Sequence, residues 1–173
     1  MNNFKLVIAL LATTGIALEA SGQRPAGRKT ADASPSDLQT LKIGDHAPNF
    51  SLPGIDGKAH SLAEYSNAKL LMVAFISNHC PDSQAAEARI MKLVDEMKGR
   101  SFKLVAINPN HPDAISIEEL GYSKYSDGFD DMKKHAAEQT FNFPYLYDGE
   151  TQAAAKAYGC LATPHIFLFD AQR

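Results

Sequence analysis

Apolar residues run without interruption from Leu70 to Ile76. An unbroken run of that length between turn residues predicts a strand buried on both faces of a sheet. Behind Pro81 the pattern changes. Ala86, Ile90, Leu93, Val94 and Met97 recur at helical spacing, predicting an amphipathic helix from Cys80 to about Lys98, closed by Gly99. Phe102 to Ile107 is a second buried run that ends at Asn108-Pro109, so strand, helix and strand form a parallel crossover unit. Upstream, Ala47 to Leu52 is extended, and Ile55-Asp56-Gly57-Lys58 is a hairpin turn into His60-Ser61-Leu62. Asn110 to Gly128 has no period and is punctuated by Pro112, Gly121 and Gly128, which predicts a surface excursion. A helix from Phe129 to about Thr140 follows, then Phe143 to Asp148, a short helix from Thr151 to Tyr158 ended by Gly159, and an apolar strand from His165 to Asp170.

Composition sets the scale. The chain has 173 residues, 45% of them hydrophobic, and a formal charge of −3, which suits one core and one globular domain. The charge balance is mild and no basic stripe occurs, so nucleic acid is not among the expected partners. Met1 to Lys5 carries one positive charge, Leu6 to Leu18 carries none, and Glu19-Ala20-Ser21-Gly22 follows. This is the shape of a secretory signal at residues 1–20, with cleavage close to Ala20. The apolar stretch is shorter than the ~20 residues that cross a bilayer, so no stable membrane span is expected after cleavage. Residues 21–40, rich in Pro, Gly, Ser and charge, form a linker, and 41–173 form the domain. Arg173 follows directly on the last predicted strand. The expectation is a fold truncated at its C-terminus, because an α/β layer architecture would cover that strand.

The candidate chemistry centres on Cys80, where the buried strand gives way to the helix. Pro81 fits the first helical position, and the free amides and dipole of a helix N-terminus favour negative charge beside Cys80. Asp82 opposes it. A small buried hydrophobe is the alternative role for such a cysteine. Cys160 is the other cysteine, so the pair allows one intramolecular disulfide or two independent thiols. No zinc-ligand spacing is present.

The Asp56-Gly57 hairpin, Ser77-Asn78-His79-Cys80-Pro81, Phe143-Pro144-Tyr145-Leu146-Tyr147-Asp148, Ala157-Tyr158-Gly159 and Thr163-Pro164 together carry a resemblance. From about Ile43 to Phe169 the chain resembles thioredoxin-like redoxin domains of the alkyl hydroperoxide reductase/thiol-specific antioxidant group, in exported form. The expected fold class is α/β, a thioredoxin-like fold with an N-terminal β-hairpin extension. The resemblance implies a cis bond at Thr163-Pro164 facing the active cysteine, with the Thr163 backbone offered to an extended substrate. Ser77 stands where a dithiol exchanger has its first cysteine, which excludes shuttling by two thiols of one motif. Ser-x-x-Cys is similar to the Thr/Ser-x-x-Cys of peroxiredoxins. That likeness makes Cys80 the attacking thiolate and gives Ser77 the role of orienting the oxygen leaving group. A serine at a strand end also serves its own backbone. The match is incomplete: Val73 and Ala74 lie where a proline is expected, and Pro164 takes the place of the partner arginine. Arg89, in the following helix, belongs on a solvated face or turns towards the thiolate. His79 would support the thiolate or act as an acid, or is a plain loop residue. His165 ranks below it. Cys160 is the candidate resolving cysteine or a buried inert thiol, a disulfide requiring Cα atoms within ~7 Å.

The leading expectation is an exported thiol oxidoreductase with no organic cofactor and no metal. Cys80 would attack a peroxide or a protein disulfide, and Cys160 or an external thiol reductant would regenerate it. A redox-silent thioredoxin-like module that binds a peptide or assists assembly is the alternative. Copper binding by Cys80 and one histidine is a thinner third reading.

Overall fold

The computed structural model describes residues 38–114 and 123–173. The predicted signal peptide, most of the linker and residues 115–122 of the excursion lie outside the described residues.

The two buried runs are the middle of the sheet. β3 (Leu70–Phe75) and β4 (Phe102–Asn108) pair in parallel, β5 (Tyr145–Tyr147) adds in parallel to β4, and β6 (His165–Phe169) runs antiparallel beside β3. The order is therefore β5-β4-β3-β6. Alternation along the pleat divides the strands between two cores. Leu71, Val73, Phe75, Val105 and Ile107 point to one face, and Ala74, Leu104 and Ala106 to the other. Helix α1 (Pro81–Glu96) and helix α2 (Phe129–Gln139) cover the second face through Ile90, Met132 and Ala136. The short helix α3 (Ala153–Tyr158) covers the first through Ala154, Ala155 and Tyr158. Phe75, Tyr158 and Phe167 meet there edge to face, with centroids 5.3–5.8 Å apart. Each such pair adds about 0.5–1.5 kcal/mol beyond its buried area. β1 (Ser51–Pro53) and β2 (Ala59–Ser61) form the N-terminal hairpin, and Ile55 N–H donates to the Tyr145 carbonyl to fasten it to the sheet. This is the thioredoxin-like fold with an N-terminal hairpin that the resemblance implies.

Element ends differ from expectation for local reasons. α1 stops at Glu96, because the Met97 and Lys98 amides close a tight turn onto Leu93 and Asp95 before Gly99 turns left-handed at φ 77°. α3 starts at Ala153 rather than Thr151. The buried Asp148 carboxylate accepts from the Ala154 and Ala155 N–H groups at 3.2 and 2.8 Å, capping the helix from outside it. Gly159 ends α3 at φ 62°, and a Cβ there would collide with the Gln39 carbonyl, so this position needs glycine twice over. β6 is the sheet edge, with Phe167 and Phe169 buried and Ile166 and Leu168 exposed.

Candidate active site

The site lies at the end of the sheet where β3 and β4 finish and β6 begins. Ile76 N–H still bonds the Ile107 carbonyl, after which Ser77-Asn78-His79-Cys80 leaves the sheet and enters α1. Cys80 is the N-cap, with φ −73° and ψ 118°, and its carbonyl accepts the first helical bond from Gln84 at 3.0 Å. Pro81 takes the first helical position, where no donor is lost. The Cys80 side chain makes no cap bond. Its Sγ instead donates to the Thr163 carbonyl at 3.0 Å, across the chain. The Thr163–Pro164 bond is cis. Ser77 Oγ lies 2.9 Å from Thr163 Oγ1. The serine hydroxyl is thus paired with the threonine beside Cys80 rather than with the sulfur. Ser77 N–H donates to the buried Ser83 Oγ at 3.2 Å, locking the loop to the first turn of α1. Ser77, Cys80, Thr163 and Pro164 therefore meet in one place, drawn from the loop after β3, the cap of α1 and the turn before β6.

A second group organises the same loop, and neither periodicity nor motif marked it. Asp127, just before α2, is wholly buried. Its Oδ1 accepts from the Asn78 N–H at 2.7 Å and from Asn108 Nδ2 at 3.1 Å. Its Oδ2 accepts from His79 Nδ1 at 2.6 Å and from Asn110 Nδ2 at 2.8 Å. Asn78 is held on every side: Nδ2 donates to the Ser126 carbonyl at 2.7 Å, Oδ1 accepts from Tyr145 OH at 3.1 Å, and its carbonyl accepts from Gln84 Nε2 at 2.6 Å. A buried polar cluster so fully paired is rigid. The only trace in the sequence was an aspartate next to Gly128 at a helix start. Glu87 and His135 carry a related signal in the sequence, for they sit on the apolar stripes of α1 and α2, where a charge needs a partner. Glu87 Oε1 lies 2.7 Å from His135 Nε2, both side chains buried.

The two cysteines, both free thiols, have different surroundings. Cys160 donates to the Ala162 carbonyl at 3.2 Å, one residue from the carbonyl that Cys80 uses, and burial pushes its thiol up to about 11. His165 stacks on Phe167 with centroids 4.4 Å apart and accepts from Leu161 N–H at 3.3 Å; burial holds its ring below the usual imidazole value. It serves the turn before β6. Arg89 is exposed on α1. Arg173 donates to the Tyr65 and Ala68 carbonyls at the far end of the sheet. Among the described residues, no group of three or more Cys, His, Asp or Glu is placed to hold a metal ion.

A half-buried thiol at the head of the first helix thus faces a cis-proline turn in a thioredoxin-like fold. The AhpC/TSA family model matches residues 43–173, and the chain belongs to that family. Peroxiredoxin Bcp of Escherichia coli (strain K12) is 27% identical over 79 residues, 46% of this chain and 51% of that protein. The chain spans about half the length of the curated relatives it matches. Among solved structures, a hypothetical protein from Sinorhizobium meliloti 1021 is 32% identical with a TM-score of 0.68, covering 78% of this chain and 68% of that one. An uncharacterized conserved protein from Geobacillus kaustophilus is 34% identical with a TM-score of 0.66, covering 75% of this chain and 64% of that one. A thiol-disulfide oxidoreductase from Bacteroides fragilis NCTC 9343 shares the fold at 22% identity and a TM-score of 0.58, covering 73% of this chain and 84% of that one.

Proposed function

We propose that Cys80 is the attacking thiol of an oxidoreductase that exchanges with disulfides through a single nucleophile. The observation that carries this reading is the Cys80 Sγ contact with the Thr163 carbonyl beside the cis Pro164. In this reading the turn offers its backbone to an extended chain beside the sulfur. The thiolate attacks one sulfur of the substrate disulfide, the sulfur–sulfur bond breaks, and the departing thiolate leaves with a proton. Cys80 remains as a mixed disulfide, which an external thiol, or Cys160, attacks to release it.

Peroxide is the second electrophile to consider. The Ser77 and Thr163 hydroxyls 2.9 Å apart beside the sulfur, and the likeness to Peroxiredoxin Bcp, support it. In that case the oxygen–oxygen bond breaks, Cys80 becomes a sulfenic acid and the remaining oxygen leaves protonated. Among the described residues no guanidinium hydrogen-bonds Cys80, which weighs towards disulfides. The N-terminal sequence supports export, and comparing the mature N-terminus of secreted and retained protein tests that part.

The deciding experiment treats reduced protein, and a Cys80→Ser control, with one equivalent of oxidised glutathione or of hydrogen peroxide and reads intact and peptide masses. A glutathione adduct at Cys80 that forms faster than oxygen addition supports disulfide exchange. Faster oxygen addition at Cys80 selects the peroxidase. A Cys80 inert to both but open to a generic thiol reagent removes the redox reading and leaves a peptide-binding module.

A further inference from the structure

The pair His79–Asp127 adjoins the proposed nucleophile in the chain through His79. His79 immediately precedes Cys80, and its Nδ1 sits 2.6 Å from the carboxylate of a wholly buried aspartate. The other neighbours of that carboxylate, the Asn78 N–H and the Asn108 and Asn110 amides, are donors, so the carboxylate is an acceptor throughout. The Nδ1 atom then carries its proton towards Asp127, and Nε2 is left with the lone pair. The His79 side chain keeps 19% of its surface exposed while Asp127 keeps none. One edge of the ring is anchored, and the ring as a whole retains access to solvent.

We infer that Asp127 is a positioning residue that fixes His79 in the tautomer whose Nε2 takes the Cys80 proton and returns it to the leaving group. This rests on the reading of Cys80 as the attacking thiol. The cycle balances. Nε2 accepts the thiol proton, and the thiolate attacks one sulfur of the disulfide. The sulfur–sulfur bond breaks, and the imidazolium passes the same proton to the departing thiolate, ending as neutral imidazole. Nothing is consumed beyond the disulfide. Asp127 is suited to the part because it holds both the ring and the loop: the Asn78 amide and the His79 imidazole rest on the same carboxylate. The other charged groups near the pair are Asp82 in the first turn of α1 and Asp131 in the first turn of α2, the latter tied to Ser126 and Lys134. Neither is bonded to His79.

The test uses two disulfides that differ in their leaving group. Oxidised glutathione releases a basic thiolate that gains from a proton donor, whereas a dipyridyl disulfide releases an activated group that does not. Asp127→Asn keeps the shape of the side chain and removes its acceptor-only character. We expect Asp127→Asn and His79→Gln to slow the glutathione reaction by about 100-fold, in the lower range of acid–base catalysis, and the dipyridyl reaction by only about tenfold, because both reagents need the thiol proton removed and only glutathione needs it returned. Equal slowing with both reagents, or none, overturns the inference while leaving Cys80 as the nucleophile. A wild-type protein inert to both overturns the parent reading itself. Should Asp127→Asn fail to fold, the wild-type chain still decides: nitrogen NMR of the imidazole is expected to place the proton of neutral His79 on Nδ1. A proton on Nε2 refutes the assignment.

Discussion

Cys160 is expected to be almost silent towards alkylating reagents at neutral pH, and the size of the effect follows from its surroundings. Burial raises its thiol from 9.0 to about 11, outweighing the lowering effect of a backbone hydrogen bond at Ala162. Two units cut the thiolate population about 100-fold: near pH 8, about one molecule in a thousand is ionised instead of about one in ten. Pulse alkylation with iodoacetamide across about pH 7–11, read by peptide mass, should show Cys160 labelling rising only as pH approaches about 11. The same property bears on stability. The unfolded thiol ionises first, so the folded state loses support as pH climbs from about 9 towards about 11, and denaturation midpoints should fall more steeply over that window in wild type than in Cys160→Ser, which keeps only the similar loss from the buried Tyr65, Tyr145 and Tyr158. Half-maximal labelling of Cys160 at or below pH 9 would refute the argument. The outcome also constrains mechanism, since a resolving cysteine that is never ionised in the closed structure must be uncovered before it can attack.

Three further outcomes follow from the packing. Asp148→Ala should destabilise the domain by about 1–3 kcal/mol in urea denaturation, because two buried amides at the start of α3 lose their acceptor. Burial raises the Asp148 carboxyl, so wild type loses some of its advantage as pH rises from below 3.8 past that raised value, and the deficit should be largest in acid. His135→Ala should cost about 3–5 kcal/mol by leaving the Glu87 carboxylate buried alone, while Glu87→Leu combined with His135→Leu should come close to wild type; additive losses in chemical denaturation would contradict this. Ser77→Ala should cost about 1 kcal/mol and slow modification of Cys80 by mixed-disulfide formation, because Thr163 Oγ1 loses its partner beside the sulfur; an unchanged rate would confine Ser77 to a structural role.

The parts of this molecule that were legible in the sequence are those governed by period and by backbone geometry. Leu70 to Ile76 and Phe102 to Ile107 announced central strands because both their faces are covered, and Cys80-Pro81 announced a helix start because proline fits there without losing a bond. Helix ends were less legible. α3 begins two residues late because Asp148 reaches forward to cap it, a contact no local propensity encodes. Asp127 was invisible for a stronger reason. Its donors come from residues 78, 79, 108 and 110, so its role exists only once β3, β4 and the segment before α2 have been brought together.

That distribution of contacts has a consequence for how the site is held. Cys80 receives its position from two directions: from the helix it caps, and from a loop whose amide and imidazole hang on one buried carboxylate. A thiol on a helix N-terminus alone would have a favourable field but a free rotor and no defined proton partner. The Thr163 carbonyl supplies the contact that limits the rotor, and the Asp127 carboxylate supplies the fixed point for the residue beside it. The short Ser-x-x-Cys sequence is therefore the visible edge of an arrangement whose other members lie 47 residues downstream of Cys80, at Asp127, and 83 downstream, at Thr163. Substitutions around Ser126 and Asp127 should consequently alter the chemistry of Cys80 while leaving both core clusters, and hence the fold, in place.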